Sequence, residues 1–529
     1  MDEMVVTADL GVCGGVGLGL GRLGRFVVGW CIAAEFQSEL LPNSSHNAVS
    51  SNSTANPPYF FLLQKWLQFC DSNHTECHQR RENQNFWPTR VIFVGNPDKV
   101  NLVEKQIQGE DYLALSHCWG APTAEEKNRF CTNRKNYQDR LQGFSYDELP
   151  KTFQHAVQVT RALQKQYLWI DALCIIQGDD GDWGTQAKTM ANIFACAYCT
   201  IAASSAHGWG DGFLSLQTDP PDIRAPITPS ILTCKCDFNK DVDDGALMKR
   251  AWVLQERVLS RRIIHFTTAH TYCECGDGVL CEQLTKLSPP FGKQYFVLDP
   301  NFPRRLTQSG SRRTADFIQF LFKKYSASHL TIGTDRDVAI DSLVERMAQV
   351  LKTEVRYGIF DCFRGSLLLW KRSEEDKTSR ISYGDRTVPS WSWMAYSGGI
   401  DFLSDSSMMQ SLVVPSRVDL GFTDDGKALD VKVRRFGETC RVEQQADGHI
   451  IVDGTEEVGR IWFDVSDRVE FKHCVAVGMK KYDWKENPRK IYYVLIVWKK
   501  ENGVGYERLG VGMVEAQYVS RDGDAGTLW

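Results

Sequence analysis

Apolar runs and amphipathic stretches alternate along the middle of the chain. YLALS at 112–116 reads as a short apolar strand. Residues 149–165 open with Leu-Pro-Lys-Thr and place Phe153, Ala156, Val157, Thr160 and Leu163 on one helical face. LWIDALCII at 168–176 reads as a buried strand, 185–197 as a helix and YCTIAAS at 198–204 as another strand. Strand, helix, strand, helix, strand predicts a parallel sheet with right-handed crossovers. IIHF at 263–266 and HTYCEC at 270–275 predict a hairpin, and 314–325 and 335–352 predict helices. After VPSWSWMAYSGG at 388–399 the pattern changes. HIIVDG, GRIWFDV, CVAVGM, KIYYVLIVW and LGVGMVEAQYV follow, separated by turns. That is the signature of an antiparallel, β-rich C-terminal region.

Order is expected from Tyr59, where FLLQKWLQFC at 61–70 has helical spacing. The preceding residues contain Gly19, Gly21 and Gly24 at the spacing G-x-G-x-x-G, but no convincing strand leads into them. Residues 42–58 are rich in Ser, Asn and Pro and read as a linker. The expected division is a Gly-rich leader and linker at 1–58, an α/β unit at 59–400 and the β-rich region at 401–529. Phe26 to Ala34 is an apolar run of nine residues, too short to span a bilayer, so no membrane span is expected. The net charge of −5 offers no basic surplus for phosphates, so nucleic acid is not expected as a partner. The 17 cysteines are an odd number scattered over the whole length, unlike the framework of a small secreted module. They predict a reduced, cytoplasmic protein.

Candidate chemistry lies in three separated blocks: YLALSHCWG at 112–120, LWIDALCIIQ at 168–177 and RAWVLQERVLSRR at 250–262. Ligands of open α/β sheets gather beyond the carboxyl ends of the strands. Ser116, Asp171 and the loop after Ile176 would meet there if their strands are neighbours. Asp and Ser at strand ends also serve as caps and turn formers, and that reading stands beside the functional one. In the third block Arg250, Gln255 and Glu256 are the polar candidates, with Glu256 open to a structural ion pair or an acid/base role. Cys70, His74, Cys77 and His78 suggest zinc. They crowd into nine residues, however, and nothing in the sequence brings Cys273, Cys275 or Cys281 to them, so no metal is expected. Cys118 next to His117 cannot pair with it on an extended chain, which leaves His155 or His265 as partners for a thiol nucleophile. Trp391 and Trp393 are expected to share a strand face and fasten the C-terminal region to the α/β unit.

The three blocks, in this order, resemble the signature of the fungal heterokaryon incompatibility (HET) domain. The flanks at 66–91, 325–337, 367–370 and 389–393 extend the resemblance over most of 60–400. Small departures include His117 and Phe194, where the family often has Tyr. The resemblance implies an effector in fungal non-self recognition and regulated cell death, related to innate immune systems. It implies a TIR/flavodoxin-like parallel sheet core with helical insertions ahead of the β-rich C-terminal region. Some TIR domains cleave NAD with a glutamate. By that analogy Glu256, then Asp171, are the catalytic candidates, and Ser116, Trp119, Gln177, Arg250 and Gln255 the ligand-binding ones. NAD would be a substrate, and no cofactor is expected. No P-loop is visible, so triggering partners would be incompatibility or immune-type proteins in trans, with homo-oligomers a further expectation. A non-enzymatic assembly module and a Cys-dependent hydrolase remain alternatives.

Overall fold

The computed structural model describes residues 57–78, 86–104, 109–214, 236–282, 285–287, 302–373, 379–403, 419–445, 448–464, 472–482, 489–500 and 503–529. The leader, with its glycine motif, lies outside them. Among these residues ten strands form one sheet. They are β1 (Val91–Phe93), β2 (Lys99–Val103), β3 (Tyr112–Ser116), β4 (Phe144–Ser145), β5 (Tyr167–Trp169), β6 (Cys199–Ala202), β7 (Arg262–Phe266), β8 (Thr271–Cys275), β9 (Gly278–Cys281) and β10 (Thr285–Leu287). Their order across the sheet is β10-β9-β8-β7-β6-β3-β5-β1-β2-β4.

Only the centre is parallel: β3 pairs in parallel with β5 and β6, and β6 with β7. Both flanks are antiparallel. The expected parallel core is therefore the centre of a mixed sheet. At the β8–β9 edge the reason is connection length. Only Gly276 and Asp277 separate β8 from β9, and a link that short can only reverse the chain. The parallel strands are joined instead by segments long enough to hold crossover helices.

The helices that concern the site are α1 (Pro57–Asn73), α2 (Thr75–His78), α3 (Lys151–Ala162), α4 (Met190–Cys196), α5 (Ala251–Leu259), α6 (Ser311–Ser326) and α7 (Val338–Leu351). α3 buries Phe153, Ala156, Val157 and Thr160, the face that the spacing predicted. Two expectations needed correction. The helix over 185–197 is broken by a 3-10 turn at Ala187–Thr189, where the Thr189 hydroxyl bonds back to the Gln186 carbonyl at 2.8 Å. LWIDALCII is a strand only at its start. From Asp171 to Cys174 it is a helical turn whose Ala172, Leu173 and Cys174 are all buried. An apolar run buried on every side carries no periodicity to separate strand from helix.

Two large cores result. One packs α1 and α3 against the sheet, with Trp66, Phe153, Leu113, Leu115 and Ile193 at its centre. The other joins α5, α6 and α7 to Trp370, Trp391, Trp393 and the apolar face of the C-terminal strands. α5 lies between them. Eight of its nine residues are buried, and the ninth, Trp252, packs against both cores.

Among the described residues the C-terminal region forms a nine-stranded, mainly antiparallel sheet running from Leu420–Phe422 to Asp524–Leu528. Trp391 and Trp393 do tie it in, but not from a strand: the segment is turn and 3-10 helix, and both indoles are fully buried. Arg508 reinforces the join. It pairs with Asp464 and donates to the carbonyls of Leu368 and Trp370. No helix among the described residues is long and apolar enough to cross a membrane.

Candidate functional site

Numbered among themselves, the parallel strands β3, β5, β6 and β7 lie in the order 2-1-3-4. In that order the chain leaves the first strand toward one side and later returns to the other, so a crevice opens between the first and third strands at their carboxyl ends. β3 and β6 are those strands, and Ser116 lies level with Ala202. On the other side Ala114 lies level with Trp169. Two residues further along both chains, Ser116 and Asp171 come out at the same sheet end. The loops leaving β3 and β6 then touch. Gly120 adopts a φ of +73°, and a Cβ there would meet the Gly208 Cα at 3.1 Å, so the final glycine of YLALSHCWG is required by close approach.

The third block closes on this edge from above. Arg250, just before α5, donates through Nη1 to the His117 carbonyl. One turn and a half along α5, Glu256 is 9% exposed. Burial pushes its carboxyl from the ordinary 4.5 up to about 7, opposed by the Ser116 hydroxyl and the Arg250 charge and reinforced by Asp171. The three blocks therefore converge on one carboxyl group. Ser116 is close enough to favour the ionised form, yet Ser116 Oγ and Glu256 Oε2 both lack a hydrogen-bond partner in the described residues, as does His117 Nε2. Buried polar atoms in native proteins are almost always paired, so the orphaned atoms of Ser116 and Glu256 mark an interaction that the polypeptide does not supply.

Asp171 is the solvent-side member, its side chain 22% exposed. Its carboxylate accepts the Trp119 indole N–H at 2.8 Å and the Ala172 amide at 2.7 Å. It is therefore a turn former, as the structural reading of a strand-end Asp held, and also an anchor for Trp119, which packs on Trp209. His117 Nε2 stands 3.8 Å from Asp171 Oδ1, beyond hydrogen-bond reach. Complete burial holds the imidazole's pKa down at about 4, so it is neutral at physiological pH and the two form no ion pair.

The other candidates lie apart from Ser116 and Glu256. The Gln177 amide donates to the carbonyls of Asp171 and Ile175, closing the loop at 3.3 Å each. Gln255 Oε1 is buried and unpartnered, but successive helix positions diverge by about 100°, so it faces away from Glu256. His117 was not singled out as a ligand residue, nor were Ser204 and Ser205, whose hydroxyls are also unpartnered just past β6. A serine pair after an apolar strand is common, and nothing in the sequence distinguishes it.

Neither thiol candidate is activated. Burial raises the Cys118 thiol despite Arg250, and burial pushes Cys174 up to about 12. His155 Nδ1 accepts the amides of Phe213 and Leu214, and His265 contacts Glu274. The ground for setting a metal aside is overturned, because Cys275 does join Cys70, His74 and Cys77.

An α/β domain with a mixed sheet and polar residues gathered beyond its parallel strand ends is thus the class that fold and site define. Residues 112–256 match the family model for heterokaryon incompatibility protein (HET). The chain carries a heterokaryon incompatibility domain, and the match ends on Glu256 itself. No curated protein and no solved structure matches the chain.

Proposed function

We propose that this chain is an effector in fungal non-self recognition and that its heterokaryon incompatibility domain promotes regulated cell death by hydrolysing a nucleotide of the NAD type. The observation that carries the reading is the convergence of all three blocks on a buried carboxyl with a raised pKa beside the unpartnered Ser116 hydroxyl. The 2-1-3-4 order of the parallel strands supports it. It is the order of the first four strands of a flavodoxin-like sheet, the fold proposed for TIR domains.

In the proposed reaction the bond between ribose C1′ and the nicotinamide nitrogen breaks, and its electron pair leaves with neutral nicotinamide. Water adds to C1′, giving ADP-ribose and one proton. The developing oxocarbenium charge is stabilised by the Glu256 carboxylate, which also receives the proton of the attacking water before solvent takes it. Ser116 offers a hydrogen bond to a ribose hydroxyl, and Arg250 offers its charge to a phosphate. Asp171 holds Trp119 at the mouth and acts as a positioning residue. Activating partners act in trans. The raised thiols of Cys118 and Cys174 disfavour the Cys-dependent alternative.

Incubating the purified full chain with NAD and separating products by chromatography tests the reading. Nicotinamide and ADP-ribose should accumulate with wild type and fall at least about a hundredfold with Glu256→Gln, on the scale of a lost general base. No NAD loss from a protein that still kills its fungal host would leave assembly, not chemistry, as the effector mechanism.

A further inference from the structure

Outside the family match, at the opposite edge of the sheet's central strands, three cysteines and one histidine meet. One ligand atom each from Cys70, His74, Cys77 and Cys275 lies within 4.8 Å of all the others. Cys70 and His74 are four residues apart and share a helix face. The chain breaks at His74 between α1 and α2. There the His74 amide bonds the Cys70 carbonyl, and the Cys77 amide bonds the His74 carbonyl, both at 3.0 Å. This turn points all three side chains the same way. The fourth comes from 198 positions further on in the sequence, at the last residue of β8.

We infer that Cys70, His74, Cys77 and Cys275 form a structural zinc site that staples the N-terminal helices to the sheet. Three sulfurs and one imidazole nitrogen make a tetrahedral donor set of the closed, structural kind. With Zn–S bonds of about 2.3 Å and Zn–N of about 2.0 Å, tetrahedral geometry separates sulfurs by roughly 3.8 Å and sulfur from nitrogen by roughly 3.5 Å. His74 Nδ1 lies 3.4 Å from Cys275 Sγ, and all four ligand atoms lie within 4.8 Å of one another, about an ångström beyond the tetrahedral spacing, so a small inward shift completes the site. The remaining imidazole nitrogen is already committed. His74 Nε2 lies 3.0 Å from the Asp277 carboxylate, which fixes the tautomer that leaves Nδ1 free to bind metal. Asp277 sits in the two-residue turn after Cys275, so the β8–β9 hairpin delivers both a ligand and the carboxylate that orients another. All three cysteines carry free thiols and are buried, Cys70 at 2%, Cys77 at 1% and Cys275 at 6%.

Binding releases three thiol protons and leaves the complex with one net negative charge. Buried Arg261 offsets it, reaching the Cys77 carbonyl at 3.5 Å. The site makes no contact with Glu256, so its loss and the failure of nucleotide hydrolysis are separate events.

Elemental analysis of the full chain, purified with zinc in the growth medium and without chelator, should find one zinc per chain. Cobalt exchanged in its place should show thiolate charge-transfer and intense tetrahedral d–d absorption. Cys275→Ser should lose most of the metal, and Asp277→Asn should retain the ligands but weaken zinc against a competing chelator by about tenfold to a hundredfold. Folded wild-type protein that contains no zinc and gives no cobalt spectrum, or that carries a disulfide among these three cysteines, would overturn the assignment. The wild-type measurements stand even if the cysteine variant does not fold.

Discussion

Glu256 is the residue on which most depends. Its carboxyl is raised by burial to about 7, so the charged form gains population only as pH rises through that value. If the carboxylate is the reacting form, NAD hydrolysis should rise with pH and reach half its maximum near 7, a profile that initial rates across a buffer series will show. Stability runs the opposite way. A folded pKa above the unfolded 4.5 means that the neutral form is favoured in the fold, so the stabilising difference is complete below about 4.5 and is lost as pH rises through about 7. At 1.36 kcal/mol per unit, Glu256→Gln should stabilise the protein by on the order of 3 kcal/mol at pH 8 and by little at pH 4, measured by denaturant unfolding. Stability gained together with activity lost would mark a functional residue, whereas a structural ion pair would show stability lost. Trp119→Phe keeps the ring but removes the donor to Asp171. Because Asp171 is partly solvated, the loss should be about 1 kcal/mol, with NAD affinity weakened more than turnover.

At the scale of elements, α5 is held over the sheet by more than apolar packing. Arg257, one residue after Glu256, makes two 2.9 Å bonds to Glu274 on β8, and His265 on β7 adds a third contact to the same carboxylate. Glu274 is wholly buried, yet Arg257 and His265 outweigh that burial and hold its carboxyl down at about 2. A depressed folded pKa gives stability that is present above the unfolded 4.5 and lost as pH falls toward 2. Glu274→Ala removes the buried acceptor shared by Arg257 and His265 and leaves Arg257 with Asp243 alone, so it should cost about 3 kcal/mol. Since α5 carries Glu256, hydrolysis should fall with it, while Glu256→Gln should leave the Arg257–Glu274 pair and the acid limb of stability unchanged.

For the whole molecule, the second core decides what can fold alone. Trp370, Trp391 and Trp393 are buried with residues as distant as Leu528, and the Ser390 amide donates to the Trp529 carbonyl at 3.0 Å. Arg508 crosses the same join. A chain ending at 400 would lose Phe422 from the Trp391 ring and Arg508, which lies over the Trp370 ring and is paired with Asp464. We expect such a truncation to be insoluble or rapidly degraded by protease where the full chain resists, as limited proteolysis with size-exclusion chromatography will show. Functional tests therefore belong on the full chain.

Local pattern alone determined much of this protein. The amphipathic face of α3, the apolar run of β3, the hairpin of β7 and β8 and the antiparallel C-terminal strands are all legible because period and turn residues are local properties. The three blocks likewise pointed to Ser116, Asp171, Arg250 and Glu256, since strand ends and polar residues within apolar runs stand out in one dimension. What only the tertiary structure decided is which distant residues meet. The flanks of the sheet turned out antiparallel, at the β8–β9 edge because the link is two residues long. The second block became a helical turn because it is buried on every side. Glu256 acquired its raised pKa from two cores closing around α5. Cys275 reached Cys70, His74 and Cys77 through strand pairing that no sequence spacing encodes. Proximity across the chain is set by packing, and packing depends on the whole fold.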